Sequence, residues 1–484
     1  MAVCEFFCHC PGNLLTVDPI PSIMSFMGTS SDISPFSLPN VKRFLFFRVF
    51  FNARFYYPVF TILFLDYGLS LEQFALLNTT WAITIVLAEV PSGALADLLG
   101  RKRLLVATSL LMVMEMSIIA LVPLGSGTVI FFAFLMNRIL SGLAEAMASG
   151  ADEAMAYDTL VQAGLEKQWP RVLDIQMRLQ HVGYVFAMTI GAVVYDNATV
   201  NRILHWLGSS AIVTQQESMR FPVYLTLALG LLSLAVTLGM HDPQVDGVEA
   251  ENRLIKKVSG NRDKIREALR LTLRAGQWII HTPFALAVIC FGMCFDHVLR
   301  MLVTMTSQYF RLISLPEASF GLIGSGIALL GLVVPRLARA MVQHFSPQKN
   351  VCIVGVTAFA ALWGLTLFIP YYGILPVVFI FIAMMMTSFF TSHYLNEIAD
   401  SAHRATVLSF KGLAFNGAYG LIGILYAGLM RSLRTSTGAA HGDWAGQMVE
   451  NEAFRASIGW FPWYLALTLL VVTVVVVWRY SSAD

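Results

Sequence analysis

The sequence predicts an all-α polytopic membrane protein with twelve transmembrane helices. Hydrophobic residues make up 57% and charged residues 13% of the 484-residue chain, whereas charged residues make up about 25% of an ordinary soluble domain. Twelve apolar runs are each long enough to cross the hydrocarbon core as a helix, which takes about 20 residues. Barrel strands would be shorter and would alternate apolar with polar residues, so the runs are predicted to be helices.

The predicted spans are separated by polar or Gly- and Pro-containing breaks. Each span begins and ends where the composition changes from apolar to polar. In chain order they cover residues 43–66, 73–96, 104–124, 128–150, 172–195, 221–241, 283–309, 319–341, 350–371, 373–394, 405–430 and 458–479.

Positive charge orients these spans. With the N-terminus inside, 22 of the 32 Lys and Arg residues fall in the loops or near the span ends on one face and six on the other. Lys and Arg collect in cytoplasmic loops, so both termini are predicted to be cytoplasmic, with the protein in the inner or plasma membrane. Four further arginines fall inside spans, where an unpaired charge is expensive: Arg48, Arg54, Arg138 and Arg300.

A long polar stretch divides the chain into two sets of six spans. The predicted organisation is a cytoplasmic tail over 1–41, a six-helix bundle over 42–241, a linker over 242–282 and a second bundle over 283–480. Arginines four residues apart predict an amphipathic linker helix on the inner membrane surface: Arg262, Arg266, Arg270 and Arg274. The tail carries soft donors without standard metal spacing, so a metal site and no function both stay open: Cys4, Cys8, His9 and Cys10.

The inner end of span two carries the run Gly93-x-Leu95-Ala96-Asp97-x-x-Gly100-Arg101-Lys102. It resembles the signature between the second and third helices of the major facilitator superfamily. The resemblance implies two six-helix bundles with pseudo-two-fold symmetry around a central cavity. It also implies a cytoplasmic latch, because glycines allow close helix approach and a carboxylate beside cations forms contacts that can break. The predicted gate is Gly93, Asp97, Gly100, Arg101, Asp152, Glu153, Glu397 and Arg404, with Asp152 or Glu153 as the partner of Asp97 and Arg101.

Span four carries a polar stripe. Arg138, Glu145 and Asp152 recur every seven residues and share one helix face. Arg138 and Gly142 resemble the family's second signature, Arg-x-x-x-Gly, and the resemblance links that arginine to proton handling. The Gly-Pro pair that family antiporters carry in span five is missing from the sequence, which weakens a prediction of antiport.

Asn52, Arg54 and Glu89 are predicted to line the same polar pathway from spans one and two. A charge in hydrocarbon needs a partner, and depth favours pairing Glu89 with Arg48, either as a structural ion pair or as part of the pathway. Glu115 in span three is either protonated or marks a second polar seam.

Span seven contains Asp296, His297 and Arg300 within an apolar run. One interpretation has Asp296 and Arg300 face the cavity as an i, i+4 pair, with His297 carrying protons. Another notes soft donors on one face, which suit Cu(I) and resemble patterns of copper importers in the same superfamily: Cys290, Cys294, His297, Met301 and Met305. Ordinary apolar packing and some other substrate contact also remain open.

These observations predict secondary active transport of a small solute by alternating access, coupled to protons, by a monomer in the lipid membrane. The predicted pathway is Asn52, Arg54, Glu89, Arg138, Glu145, Asp296, His297 and Arg300. The alternatives are copper import, with His297, Met301 and Met305 as metal ligands, and a non-transporting membrane sensor or scaffold. Neither a phosphate-binding loop nor a set of catalytic residues occurs in the sequence, so no enzyme activity, cofactor or nucleic-acid partner is predicted.

Overall fold

The structure is a computed structural model that describes residues 34–242, 270, 273–274, 276–398 and 404–481. All twelve predicted spans are helices. Span one is Pro39–Asn52 followed by Phe60–Asp66, and the others are Leu71–Leu99, Arg101–Leu121, Gly127–Ala148, Trp169–Tyr195, Phe221–Leu238, Pro283–Thr304, Ser319–His344, Pro347–Thr366, Ile374–Ile398, Arg404–Ala440 and Phe461–Ser481. Shorter helices at Ala151–Gln162, Asn197–Trp206, Gln215–Ser218, Thr306–Leu312 and Gly446–Ile458 extend or connect them.

The all-helical membrane fold predicted from composition is confirmed. Ten helices in the described ranges are long and apolar enough to cross a membrane. The interrupted first span and the fifth span, which carries Arg171, Asp174 and Arg178 near its start, complete the twelve. The main difference in length is span eleven, which continues as a polar helix to Ala440 instead of ending near residue 430.

Span one is broken at residues 53–56. Pro58 follows the break, and a proline has no N–H to donate within a helix and restricts the residue before it. The backbone groups at the break have partners: the Arg54 Nε donates to the Phe51 carbonyl oxygen at 3.1 Å, and the Phe55 N–H donates to Thr226 Oγ1 at 3.1 Å. Irregular backbone at this depth is tolerated where it is buried in protein or lines a cavity.

The six spans of each half pack together, and the two halves meet along spans two with eleven and five with eight. Glycine makes the second contact possible. A Cβ on Gly321 of span eight would overlap the Met188 carbonyl of span five, so any larger residue would separate the halves there. Thr189 and Ser325 hydroxyls add a hydrogen bond of 3.0 Å across the same interface.

Polar contacts join the halves near one end of the bundle. We call the end that carries residues 66–70 the outer end, and the opposite end the inner end, following the predicted topology. Leu71 N–H donates to Glu450 Oε1 at 2.7 Å, and Arg434 pairs with Glu72 at 2.8 Å.

Residues 1–33 of the predicted 1–41 tail, which include Cys4, Cys8, His9 and Cys10, lie outside the described residues. So does most of the predicted amphipathic linker helix, including Arg262 and Arg266.

Candidate functional site

A buried ion pair between Arg54 and Glu115 lies at the centre of the first half's polar residues. It joins the broken span one to span three, and only 4% and 0% of the two side chains are exposed. The Arg54 guanidinium also lies 5.3 Å from the Phe51 ring centroid, and Asn137 donates to the Glu115 carbonyl oxygen at 3.0 Å. Arg54, which was predicted to line the pathway, is buried in the structure. Glu115, which had no predicted partner, provides its counter-charge.

Glu145 lies near this ion pair. It is solvent-exposed although it lies within electrostatic range of Arg54, Glu115 and Arg48. No hydrogen bond or ion pair holds its carboxylate within the described ranges. Tyr57, which is 39% exposed, lies beside it. An exposed carboxylate among buried charges of neighbouring spans indicates that water reaches this part of the first half.

Arg138 is buried deeper in the first half, with 4% exposure. Its Nε and Nη2 donate to Asn137 Oδ1 at 2.9 and 2.6 Å, and its guanidinium lies 5.5 and 5.6 Å from the ring centroids of Phe60 and Phe64. Its described neighbours therefore supply a neutral acceptor and aromatic faces, and no carboxylate pairs with it.

The second half contributes Asp296 and Arg300, which form the predicted i, i+4 ion pair at 2.5 Å. Arg300 also donates to Asn416 Oδ1 of span eleven at 2.9 Å and lies 5.4 Å from the ring centroid of Tyr419. Tyr419 is within electrostatic range of both Arg300 and Arg138, so polar groups of the two halves converge beside this ring.

Lys411 of span eleven completes the second half's polar group. Its ammonium is within electrostatic range of Asp296 and Arg300 and lies 5.5 Å from the Phe415 ring centroid. The sequence placed Lys411 among cytoplasmic loop cations, and nothing in its local pattern indicated that it reaches span seven. Asn416 and Tyr419 were not predicted as site residues either, because no local pattern indicated that they lie beside Arg300.

Glu89 and Arg48 do not form the pair that their depth favoured. Arg48 Nε lies 3.2 Å from Asp152 Oδ2, and Arg48 also pairs with Glu153. Glu89 instead lies against Gly412 of span eleven, and its buried Oε2 accepts no hydrogen bond from the described residues. Asn52, the remaining predicted residue of span one, donates to the Arg48 carbonyl oxygen at 2.7 Å.

His297 lies against span twelve. One ring nitrogen contacts the Met293 carbonyl oxygen at 2.6 Å and the other the Tyr464 hydroxyl of span twelve at 3.2 Å. Met301 and Met305 are each 1% exposed. Within the described part of the chain, no three His, Cys, Asp or Glu side chains cluster as a metal site would require. This soft-donor stripe lies in the packing between spans seven and twelve.

The predicted inner gate has a different set of partners. Arg101 pairs with Asp158 and donates to the Ala154 carbonyl oxygen at 2.7 Å. Asp152 and Glu153, its predicted partners, form ion pairs with Arg48. Gly100 has a positive φ of 87°, a backbone conformation that glycine adopts without steric cost. Glu397 lies 3.6 Å from His393. The side chains of Gly93, Asp97 and Arg404 lie outside the described residues.

An ion-pair network at the outer end was not predicted. Arg311 contacts both oxygens of Asp66 at 2.8 and 2.9 Å and pairs with Glu317 at 2.6 Å, while the Tyr195 hydroxyl donates to Asp66 at 2.5 Å. We call Asp66, Arg311 and Glu317 the outer latch. Burial would lower the pKa of Arg311, but Asp66 more than compensates and the pKa is raised. Burial raises the pKa of Glu317, against the opposing effect of Arg311.

Comparison with known proteins agrees with this architecture. The sequence profile of the Major Facilitator Superfamily matches residues 44–428. No curated protein matches the sequence significantly.

Solved structures share the fold at low identity. A bacterial homologue of the human lysosomal transporter Spinster has a TM-score of 0.65 at 14% identity, over 94% of this chain and 99% of that one. A mutant of the nucleoside transporter NupG has a TM-score of 0.64 at 14% identity, over 90% and 98%. A D-xylose-proton symporter has a TM-score of 0.57 at 12% identity, over 87% and 95%.

Proposed function

The chain belongs to the Major Facilitator Superfamily, and from that premise we propose that it is a secondary active transporter that moves a small solute by alternating access and couples this movement to protons. The observation that carries the proposal is that each half holds charged side chains inside the bundle, Glu145 in the first and Asp296 with Arg300 and Lys411 in the second, and that Arg138 and Arg300 of the two halves approach the same Tyr419 ring. A site shared between two bundles is emptied or filled when the bundles rock.

Closure at the outer end supports alternating access. The outer latch joins the halves through Asp66 and Arg311, and spans one and seven meet beneath it. The Ser307 hydroxyl accepts from the Thr61 and Ile62 N–H groups at 3.0 and 3.2 Å. Because these contacts are polar and lie beside the outer surface, water replaces them at low cost when the halves separate. We infer that the structure is the form closed on the outside.

Unpaired carboxylates support proton coupling. Glu89 and Glu145 have no ion-pair partner among the described residues, so each can take up and release a proton without breaking an ion pair, as carboxylates in proton pathways do. A proton that binds in one orientation of the cavity and leaves in the other supplies the driving force.

We expect Glu145→Gln to lose proton-driven accumulation while keeping exchange of solute across the membrane. The amide keeps the size of the side chain but cannot take up and release a proton. The measurement is uptake of a mixed panel of small solutes into proteoliposomes, with and without an inward proton gradient, read by mass spectrometry. In Glu145→Gln, the extra uptake that the proton gradient causes should fall about 5- to 150-fold, which is the range that a typical coupling free energy corresponds to.

Glu166→Gln is the matched control, because Glu166 is exposed on a loop between spans four and five. It should leave uptake unchanged. If the unaltered protein accumulates solute equally with and without the proton gradient, proton coupling is contradicted. Absence of accumulation of every solute in the panel would favour the sensor or scaffold alternative.

Copper import stays the competing prediction from the sequence. Its test is cellular copper uptake by a variant that combines His297→Ala with Met301→Leu. The contact of His297 with Tyr464 favours a packing role over metal binding. We therefore expect the variant and the unaltered protein to show the same copper uptake.

A further inference from the structure

The charges around the cavity fall into paired and unpaired groups. Arg54 is paired with Glu115, Arg48 with Asp152 and Glu153, and Arg300 with Asp296. Four charged side chains of the described residues remain without an ion-pair partner: Glu89, Glu145, Arg138 and Lys411.

The unpaired acids and the unpaired cations are not equivalent. A carboxylate becomes neutral by taking up a proton, whereas an arginine stays protonated in proteins. Once Glu89 and Glu145 are protonated, Arg138 and Lys411 leave the cavity with an excess positive charge. A buried cation without a counter-charge is strongly unfavourable, so an anion in the cavity is the natural compensation.

The location of Lys411 argues against an ordinary lysine that extends toward the membrane surface. Its ammonium is in electrostatic range of Asp296 and Arg300. Asp296 is 13 residues beyond the first residue of span seven, or about 20 Å along the helix at 1.5 Å per residue. Lys411 therefore extends toward the middle of the bundle.

The surroundings fit an organic anion better than a bare inorganic one. Phe415 lies under the Lys411 ammonium and Tyr419 under the Arg300 guanidinium, and both rings are buried, so they hold the two cations in place. On the opposite side, Tyr57 and Tyr184 have ring centroids 6.1 Å apart, and Tyr57 is exposed. An exposed tyrosine ring can bind the apolar part of a solute while the cations hold its charged end.

We propose that the transported solute is a small organic anion whose carboxylate or phosphate group is bound by Lys411 and Arg300, with Arg138 adding positive potential from beneath Tyr419. This inference rests on the proposed transport function. The five N–H donors of a guanidinium leave Arg300 free to bind an oxyanion beyond its contacts with Asp296 and Asn416.

The test is accumulation by proteoliposomes offered equal concentrations of matched acids and neutral analogues: benzoate with benzamide, gluconate with glucose, and uridine monophosphate with uridine. We expect one or more of the anions to accumulate and its neutral analogue not to. Lys411→Gln should lower uptake of that anion at least about tenfold, the loss of one charged hydrogen bond, and Lys411→Arg should retain most of it. Lys349→Gln, which removes an exposed cation at the inner end, should have no effect.

Two failures are distinguishable. If neutral analogues accumulate as well as the acids, or if Lys411→Gln transports the anion at an unchanged rate, the anion inference is wrong while the transport function stands. If nothing accumulates, the proposed function fails and the inference fails with it. Lys411→Gln and Lys411→Arg are compared only as monodisperse proteins, so a difference between them reports charge geometry and not misfolding.

Discussion

Arg54 and Glu115 illustrate what single residues reveal in this protein. Each is recognisable in the sequence as a charge inside an apolar span, and physical chemistry then requires a partner for each. Their pairing over 61 positions depends on how spans one and three pack, which no local pattern reports. For the same reason Arg48 was assigned the wrong partner. Depth alone favoured Glu89, but the helix after span four brings Asp152 and Glu153 closer.

Glu317 in the outer latch provides a pH-dependent prediction. Burial raises the pKa of Glu317 in the closed form, and opening would expose it and return the pKa toward its ordinary value. The closed form therefore binds more protons, so lowering the pH favours closure. Asp66, Asp196 and Arg311 also act on Glu317.

The measurement is the distance between spin labels at the exposed outer positions 210 and 432, from electron–electron resonance at pH 7.5 and pH 5. We expect the population with the shorter distance to grow at pH 5, and Glu317→Gln to remove this dependence. A shift toward the longer distance at pH 5 would contradict the linkage.

Spans one and seven show how broken helices serve the fold at the scale of elements. Each is the first span of its half, and each is interrupted, at residues 53–56 and at Met305. The Thr61 hydroxyl donates to the Thr304 carbonyl, while Ser307 accepts from two N–H groups at the start of Phe60–Asp66. Some of the backbone groups freed at each break are thus satisfied by the other half. The sequence predicted both spans as continuous helices, because their composition stays apolar across the breaks.

Gly321→Ala is predicted to destabilise the closed form, because its Cβ would overlap the Met188 backbone of span five. Overpacking of this kind costs about 1–3 kcal/mol. Gly326→Ala on the same helix is the control, since nothing lies within 4 Å of its Cβ position and alanine favours a helix by up to about 1 kcal/mol over glycine. Thermal unfolding of the purified proteins should show a lower midpoint for Gly321→Ala alone. Equal midpoints for the two variants would mean that this helix contact does not need glycine.

At the scale of the whole molecule, the sequence was sufficient for the fold but not for the site. Hydropathy located twelve spans, and one loop motif identified the family. The site depended on contacts between distant spans: Lys411 reaching Asp296 and Arg300, and Arg311 reaching Asp66. The predicted inner latch of Asp97 and Arg101 stays a prediction, because the Asp97 side chain lies outside the described residues. In the structure Arg101 pairs with Asp158 instead.

Alternating access is the central claim, and locking the outer end tests it most directly. Thr61 and Ser307 touch across the two halves, with the Thr61 N–H 3.0 Å from the Ser307 hydroxyl. A protein carrying Thr61→Cys and Ser307→Cys is cross-linked by oxidation, and solute uptake into proteoliposomes is measured before oxidation, after it and after reduction. We predict that uptake stops on cross-linking and returns on reduction, while each variant that carries only one of the two substitutions is unaffected by oxidation. Uptake that continues unchanged in the fully cross-linked protein would contradict the claim, because the solute would then cross without the outer end opening.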